Sequence, residues 1–248
     1  MRLIKWGKLP PQMQTEEVRE YYDILRKKKC ALFFKRAFDI FASLLLLIIL
    51  SPLFLILAIA IKIDSKGPVF YRQERVTQYD KRFRIFKFRT MVQNADKIGA
   101  QVTVNNDSRI TRVGKFIRRC RLDEICQLID VLRGALTFVG TRPEVPKYVE
   151  QYTPEMMATL LLPAGVTSVA SIKYKDEDKL LDGVENVDET YVQKVLPAKM
   201  KYNLAALKKF GFWRDIGIMF MTVFAVLGKD YSEKAEKPKE NEDNANAE

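Results

Sequence analysis

Between Ile40 and Ile61 the chain reads IFASLLLLIILSPLFLILAIAI, about 22 residues without one charge. At ~1.5 Å per residue a helix of that length is about 33 Å long, enough to cross the hydrocarbon of a bilayer. A buried core helix is the competing reading, but such helices are usually shorter and keep a polar face. The run begins too deep in the chain, and no small-residue cleavage site follows, for a cleavable signal peptide. Ser51-Pro52 stands at its midpoint. There the proline removes a backbone donor and clashes with the preceding turn, so a kink is expected. Basic residues flank both ends, Arg26 to Lys29 and Lys35-Arg36 before and Lys62 after, so the positive-inside rule selects no orientation. Two half-helices of about 11 residues and ~16 Å each, entering and leaving on one side, accommodate both clusters. A straight span with a tolerated kink is the alternative.

Charge narrows the partner. Lys and Arg outnumber Asp and Glu by 42 to 31, a net charge of +11, which calls for an anionic partner. The excess is concentrated between Lys62 and Arg121, where sixteen basic residues face five acidic ones. Histidine is absent, which excludes Ser-His-Asp triads, imidazole acid–base chemistry and every His-containing metal site. The three cysteines, Cys30, Cys120 and Cys126, form no CxxC, so neither a disulfide framework nor an all-cysteine zinc site is expected, and the usage suits a reducing, cytosol-facing protein. Pro68–Val76 and Arg82–Arg89 read as two strands around a polar turn. Arginines interleaved with aromatics also suit single-stranded nucleic acid. No nucleic-acid motif accompanies them, and a membrane segment is an awkward companion, so no nucleic-acid partner is expected.

Leu122, Ile125, Leu128, Ile129 and Leu132 follow helical spacing, with Gly134 as the stop. Asp123-Glu124 then fall in the first turn, just after Arg118, Arg119 and Arg121. Alone, such a pair reads better as routine helix-start acids with neighbouring counter-charges. Ile216–Leu227 is apolar but too short to span; its basic and aromatic approach, Lys208–Arg214, suits either an interfacial helix or a core helix. The acidic stretch from Asp176 to Glu189 reads as a solvated loop, and the polar tail from Lys229 as disordered.

Six motifs in order resemble the bacterial sugar transferases, members of the monotopic phosphoglycosyl transferase superfamily: Lys35-Arg36-Ala37-Phe38-Asp39, Ser51-Pro52, Gly67–Arg75, Lys87-Phe88-Arg89-Thr90-Met91, Leu122-Asp123-Glu124 and Val139–Glu144. The resemblance covers Lys35 to about Leu227. It implies transfer of a sugar phosphate from a nucleotide diphosphate sugar to polyprenyl phosphate, with Mg2+, at the cytoplasmic face of a bacterial inner membrane. Asp123 takes the role of nucleophile and Glu124 that of magnesium ligand. Lys87, Arg89, Arg118 and Arg142 correspond to the substrate-binding cations, and Lys175 stands where many members carry a substrate-binding arginine. Ser51 and Pro52 match the break that makes the membrane segment re-entrant, and Lys35 and Arg36 match its anchoring charges. Three departures stand out: the turn Val76–Asp80 lacks the usual glycines, Cys126 replaces a proline after the acidic pair, and Thr141 replaces one before Arg142.

Electrostatics agree with that assignment. A carboxylate approaching a diphosphate meets like charge, about 4 kcal/mol per unit pair at 4 Å and an effective dielectric of 20. Guanidinium groups and a divalent cation must cancel it. The expected architecture is α/β and mainly helical. It comprises an N-terminal basic segment (1–34), a re-entrant membrane helix (35–62), a catalytic domain on the membrane surface (63–228) and a disordered tail (229–248). The rival reading is a catalytically silent membrane scaffold that binds anionic lipid through its basic face. Donor sugar and oligomeric state leave no sequence signal.

Overall fold

The computed structural model describes residues 1, 3–93, 95, 107–175, 184 and 186–231. Most of the acidic 176–189 stretch and the tail beyond residue 231 lie outside them. Among the described residues the fold is mostly helical, with two small two-stranded sheets.

Helix α1 (Glu16–Lys27) starts at Thr15, whose side chain accepts the Val18 amide. Val18, Tyr21, Tyr22 and Leu25 form its buried stripe. With Leu9 and Met13 they pack on the 3-10 segment Met156–Leu161 and on Leu207 and Phe210. The segment before residue 29 is therefore part of the main core, basic on its outside only.

Helices α2 (Lys29–Ile49) and α3 (Ser51–Asp64) are bent by 61° at the break between them. Neither alone is long and apolar enough to cross a membrane; as a bent pair they meet that test of length and composition. Ser51 Oγ donates to the Ile48 carbonyl at 2.8 Å, the oxygen that an amide at position 52 would have taken in a continuous helix. On α2, Leu32, Lys35, Asp39 and Ser43 make an inward stripe. Phe41, Ile48, Leu55 and Ile56 face outward, each more than 60% exposed. So large an apolar surface marks a membrane or partner contact.

The stripe corrects one expectation. Lys35 and Arg36 are not directed at headgroups. Lys35 Nζ donates to Val139 O at 2.7 Å and pairs with Asp215 at 2.6 Å. Arg36 donates to the carbonyls of Val131 and Leu132 at 2.7 and 2.9 Å. Asp39 accepts from Thr137 Oγ1 and the Phe138 amide. In an otherwise apolar helix, these polar groups find partners only on the protein side.

Strands β1 (Phe70–Thr77) and β2 (Lys81–Phe88) form an antiparallel hairpin, with Tyr71 opposite Lys87. In its glycine-free turn, Tyr79 and Asp80 both take φ of +59°. The buried Tyr79 ring and the Ile4 amide that donates to its hydroxyl at 3.1 Å hold that conformation. Next come α4 (Arg112–Arg119), a 3-10 segment (Leu122–Gln127) and α5 (Leu128–Arg133). The helix expected over 122–132 is thus split, and Gly134 ends it at φ +87°. Strand β3 (Leu136–Val139) pairs in parallel with β4 (Ala164–Thr167), after the short α6 (Pro146–Val149). The chain closes with α7 (Val169–Lys173), α8 (Val187–Thr190), α9 (Leu196–Lys208) and α10 (Phe212–Val226). On α10, Ile218 points inward while Trp213, Phe220 and Val223 are exposed, so the helix is neither fully core nor fully free.

Candidate active site

Three elements converge on the acidic pair. β2 carries Lys87, and the Phe86 amide donates to Asp130 Oδ2 at 2.8 Å, fixing α5 against that strand. Arg121, at φ +55°, turns the chain sharply between α4 and Asp123. Cys126 is buried with its thiol donating to Asp123 O at 3.5 Å; burial pushes that thiol up, so it packs rather than reacts. The third element is the Gly140–Glu144 loop after β3. Gly140 N donates to Thr167 O at 2.9 Å and Gly165 N to Thr141 O at 2.8 Å. A Cβ on Gly165 would lie 2.1 Å from Gly140 N, so only glycine allows this close approach. The clamped loop delivers Arg142.

Lys87 Nζ lies 2.9 Å from Glu124 Oε1. Arg142 grips the same carboxylate with both terminal nitrogens, Nη1 at 3.2 Å from Oε2 and Nη2 on Oε1. Burial opposes the Glu124 charge, yet Arg142 and Lys87 outweigh it and hold the carboxyl well below its usual range. Asp123 is treated oppositely. Burial first, then the Glu124 charge, push its carboxyl up, and Lys87, its own amide and Arg118 reverse this only in part. The Asp123 carboxylate makes no ion pair among the described residues. The two adjacent acids are thus held differently: Glu124 is clamped by cations, and Asp123 is not.

The other sequence-predicted cations lie in different settings. Arg118 Nε donates to Thr90 Oγ1 at 3.2 Å, within electrostatic reach of Asp123. Lys175 pairs with Asp230 at 2.9 Å, and its carbonyl accepts from Arg121 at 3.3 Å. Arg89 is buried and donates to the carbonyls of Lys66 and Ser65 and to Ser65 Oγ. That corrects its assignment as a substrate-binding cation: the guanidinium caps the end of α3, whose last carbonyls need donors.

Sequence reasoning missed a supporting cluster. Arg75 Nη1 donates to Pro143 O at 3.1 Å, and the Val76 amide to Glu144 O at 2.9 Å. The buried Glu144 carboxylate accepts Tyr191 OH at 2.6 Å, and Lys199 lies 3.6 Å from it while donating to Tyr191 OH. These contacts hold the far side of the Arg142 loop. Arg75 and Glu144 lie in recognised motifs, whereas Tyr191 and Lys199 carry no local signal.

A metal would find carboxylate oxygens on Asp123 and Glu124. Among the described residues no three His, Cys, Asp or Glu side chains converge. The donor set fits a hard divalent cation that takes its remaining ligands from water and substrate phosphate, as magnesium accepts.

The model of the bacterial sugar transferases matches residues 30–229. The chain belongs to that family. This sugar transferase is 35% identical over 198 residues to the UDP-N-acetylgalactosamine-undecaprenyl-phosphate N-acetylgalactosaminephosphotransferase of Aeromonas hydrophila, covering 79% of this chain and 44% of that protein. It is 37% identical over 197 residues to the UDP-glucose:undecaprenyl-phosphate glucose-1-phosphate transferase of Klebsiella pneumoniae, covering 77% and 39%. The chain thus spans about two fifths of the length of these two relatives. It matches the exopolysaccharide production protein PSS of Rhizobium leguminosarum bv. phaseoli at 39% identity, covering 78% of this chain and 94% of that protein.

Proposed function

We propose that this sugar transferase moves a sugar phosphate from a UDP-sugar to a polyprenyl phosphate by two displacements at one phosphorus, starting a lipid-linked glycan. The observation that carries the reading is the unlike treatment of the two acids: Asp123 raised and, among the described residues, without an ion pair, Glu124 clamped by Lys87 and Arg142. The names of the relatives support the substrate classes.

In the first displacement an Asp123 oxygen attacks the sugar-bearing phosphorus. The bond to the bridging oxygen breaks, that oxygen keeps the electron pair, and a nucleoside monophosphate leaves. In the second, a phosphate oxygen of the lipid attacks the same phosphorus. The bond to Asp123 breaks, the carboxylate is restored, and a polyprenyl diphosphate sugar departs. Lys87 and Arg142 exchange Glu124 for the anionic oxygens of the substrate, lowering the charge repulsion. Glu124 would hold Mg2+, which supplies charge neutralisation at the phosphoryl oxygens when bound.

The second substrate is a lipid, and the exposed apolar faces of α2, α3 and α10 support embedding of the bent pair in one leaflet. The site then opens to the cytoplasm, at the level of the headgroups. Asp123→Asn should abolish release of nucleoside monophosphate while membrane attachment persists; normal turnover would overturn the covalent route. Wild-type protein without lipid phosphate should release nucleotide once per site. Release only when lipid is added would favour direct attack by the lipid. No release with both substrates present would favour the silent scaffold.

A further inference from the structure

We propose that the outer face of α4 rests on anionic lipid headgroups and that this contact sets the position of Asp123. The proposal builds on the membrane-embedded reading above and adds to it a lipid class and a control point.

The inner face of α4 is fully used. Asp64 Oδ2, at the end of α3, accepts the Val113 amide at 3.0 Å. Ile117 is buried with Leu57 and Ile61 of α3. A Cβ on Gly114 would meet Thr90 O at 2.0 Å, so the helix backbone lies directly on that strand exit. α4 is therefore fixed to the end of the helix that leaves the bilayer.

Its outer face has no such role. Arg112, Lys115, Phe116 and Arg119 are spaced three and four apart, on one side, and all are exposed. Phe116 is 59% exposed, and Ile63 at the adjoining end of α3 is 82% exposed. Exposed apolar side chains thus stand on both α3 and α4, and three cations share the face of Phe116. α4 contains no acidic residue, and Arg112, Lys115 and Arg119 make no ion pair among the described residues. A basic face with a protruding aromatic is the composition of a helix that lies in a headgroup layer. Near an anionic leaflet each such cation is worth about five-fold in binding; at a zwitterionic surface that attraction is absent. Only Cys120 and Arg121 separate the end of α4 from Leu122-Asp123, so a shift of α4 moves the nucleophile.

The test uses the full chain in nanodiscs of phosphatidylcholine, alone or with about one third phosphatidylglycerol. For the depth measurement, Cys30, Cys120 and Cys126 are replaced and Phe116→Cys carries a spin label; turnover is measured with native cysteines. The label should lie in lipid only in the anionic discs, and nucleoside monophosphate release should be several-fold faster there. Arg112→Gln/Lys115→Gln/Arg119→Gln should stay in the discs, with turnover that no longer responds to lipid charge. Equal water exposure of the label in both discs, or full lipid-charge response in the triple variant, overturns the proposal. Wild-type protein that washes off every disc in high salt would instead refute membrane embedding itself.

Discussion

Lys35→Met should cost far more than the loss of a surface ion pair. The lysine side chain is 4% exposed and its ammonium lies 2.6 Å from an Asp215 carboxylate that is itself 13% exposed. The same ammonium donates to Val139 O at 2.7 Å. Removing it strands a charge and a carbonyl together. Breaking a buried pair on one side costs about 3–5 kcal/mol, against about 0–1 for an exposed pair. For a chain of this size the unfolding midpoint should fall by roughly 6–20 °C. Lys35→Met/Asp215→Leu removes both charges and should recover most of that loss, leaving only the orphaned carbonyl. Thermal unfolding of the four members of this cycle in nanodiscs, followed by circular dichroism, measures the coupling. A lysine that anchors to headgroups gives the opposite pattern: a small loss, sensitive to lipid charge and independent of Asp215. Additive single variants would therefore refute the inward role.

Two further outcomes follow from the site and the bend. The carboxylate form of Asp123 is the reactive one and its carboxyl is raised above the usual range by burial and Glu124, so activity should be present above that raised value and lost as pH falls through it; Glu124→Gln should move the acid limb of the residual rate to lower pH, and a limb that stays or rises would contradict the coupling. Pro52→Ala restores the amide that Ser51 Oγ replaces at Ile48 O, so part of the 61° bend should relax; because α1 is packed in the main core, a cysteine at Gln12 should still be protected from a thiol reagent added outside intact cells, and ready labelling would show that proline, not packing, keeps the bend.

The sequence announced what depends on near neighbours. A charge-free run broken by Ser51-Pro52 and the stop at Gly134 rest on local backbone chemistry, and the two strands on either side of Gln78–Asp80 show in the residue pattern, although their turn is held by Ile4 from 75 residues away. It did not announce where long side chains point. Arg89 follows Lys87 by two residues on the same strand exit, yet one caps α3 and the other reaches Glu124. That choice depends on where α3 ends, 25 residues earlier. Lys35 and Arg36 read as headgroup anchors because their partners, Asp215 and the end of α5, lie about 95 to 180 residues away. The expected α-helix at 122–132 opens as a 3-10 segment because the left-handed Arg121 and the buried Cys126 set its geometry. The Glu144–Tyr191–Lys199 cluster is spread over 55 residues of chain, and no spacing rule joins its members.

The inward stripe on α2 makes this protein hard to divide. Arg36 closes the end of α5, Asp39 holds β3, and Lys35 holds the residue from which the Arg142 loop departs. A variant trimmed of its first 62 residues to make it water-soluble would leave those carbonyls and amides uncovered, and it would also lose the α1 face of the main core. On the proposed embedding, the apolar arm is both anchor and internal brace. Solubilisation is better sought by repainting its outer surface, at Phe41, Ile48, Leu55 and Ile56, while Leu32, Lys35, Asp39 and Ser43 stay untouched.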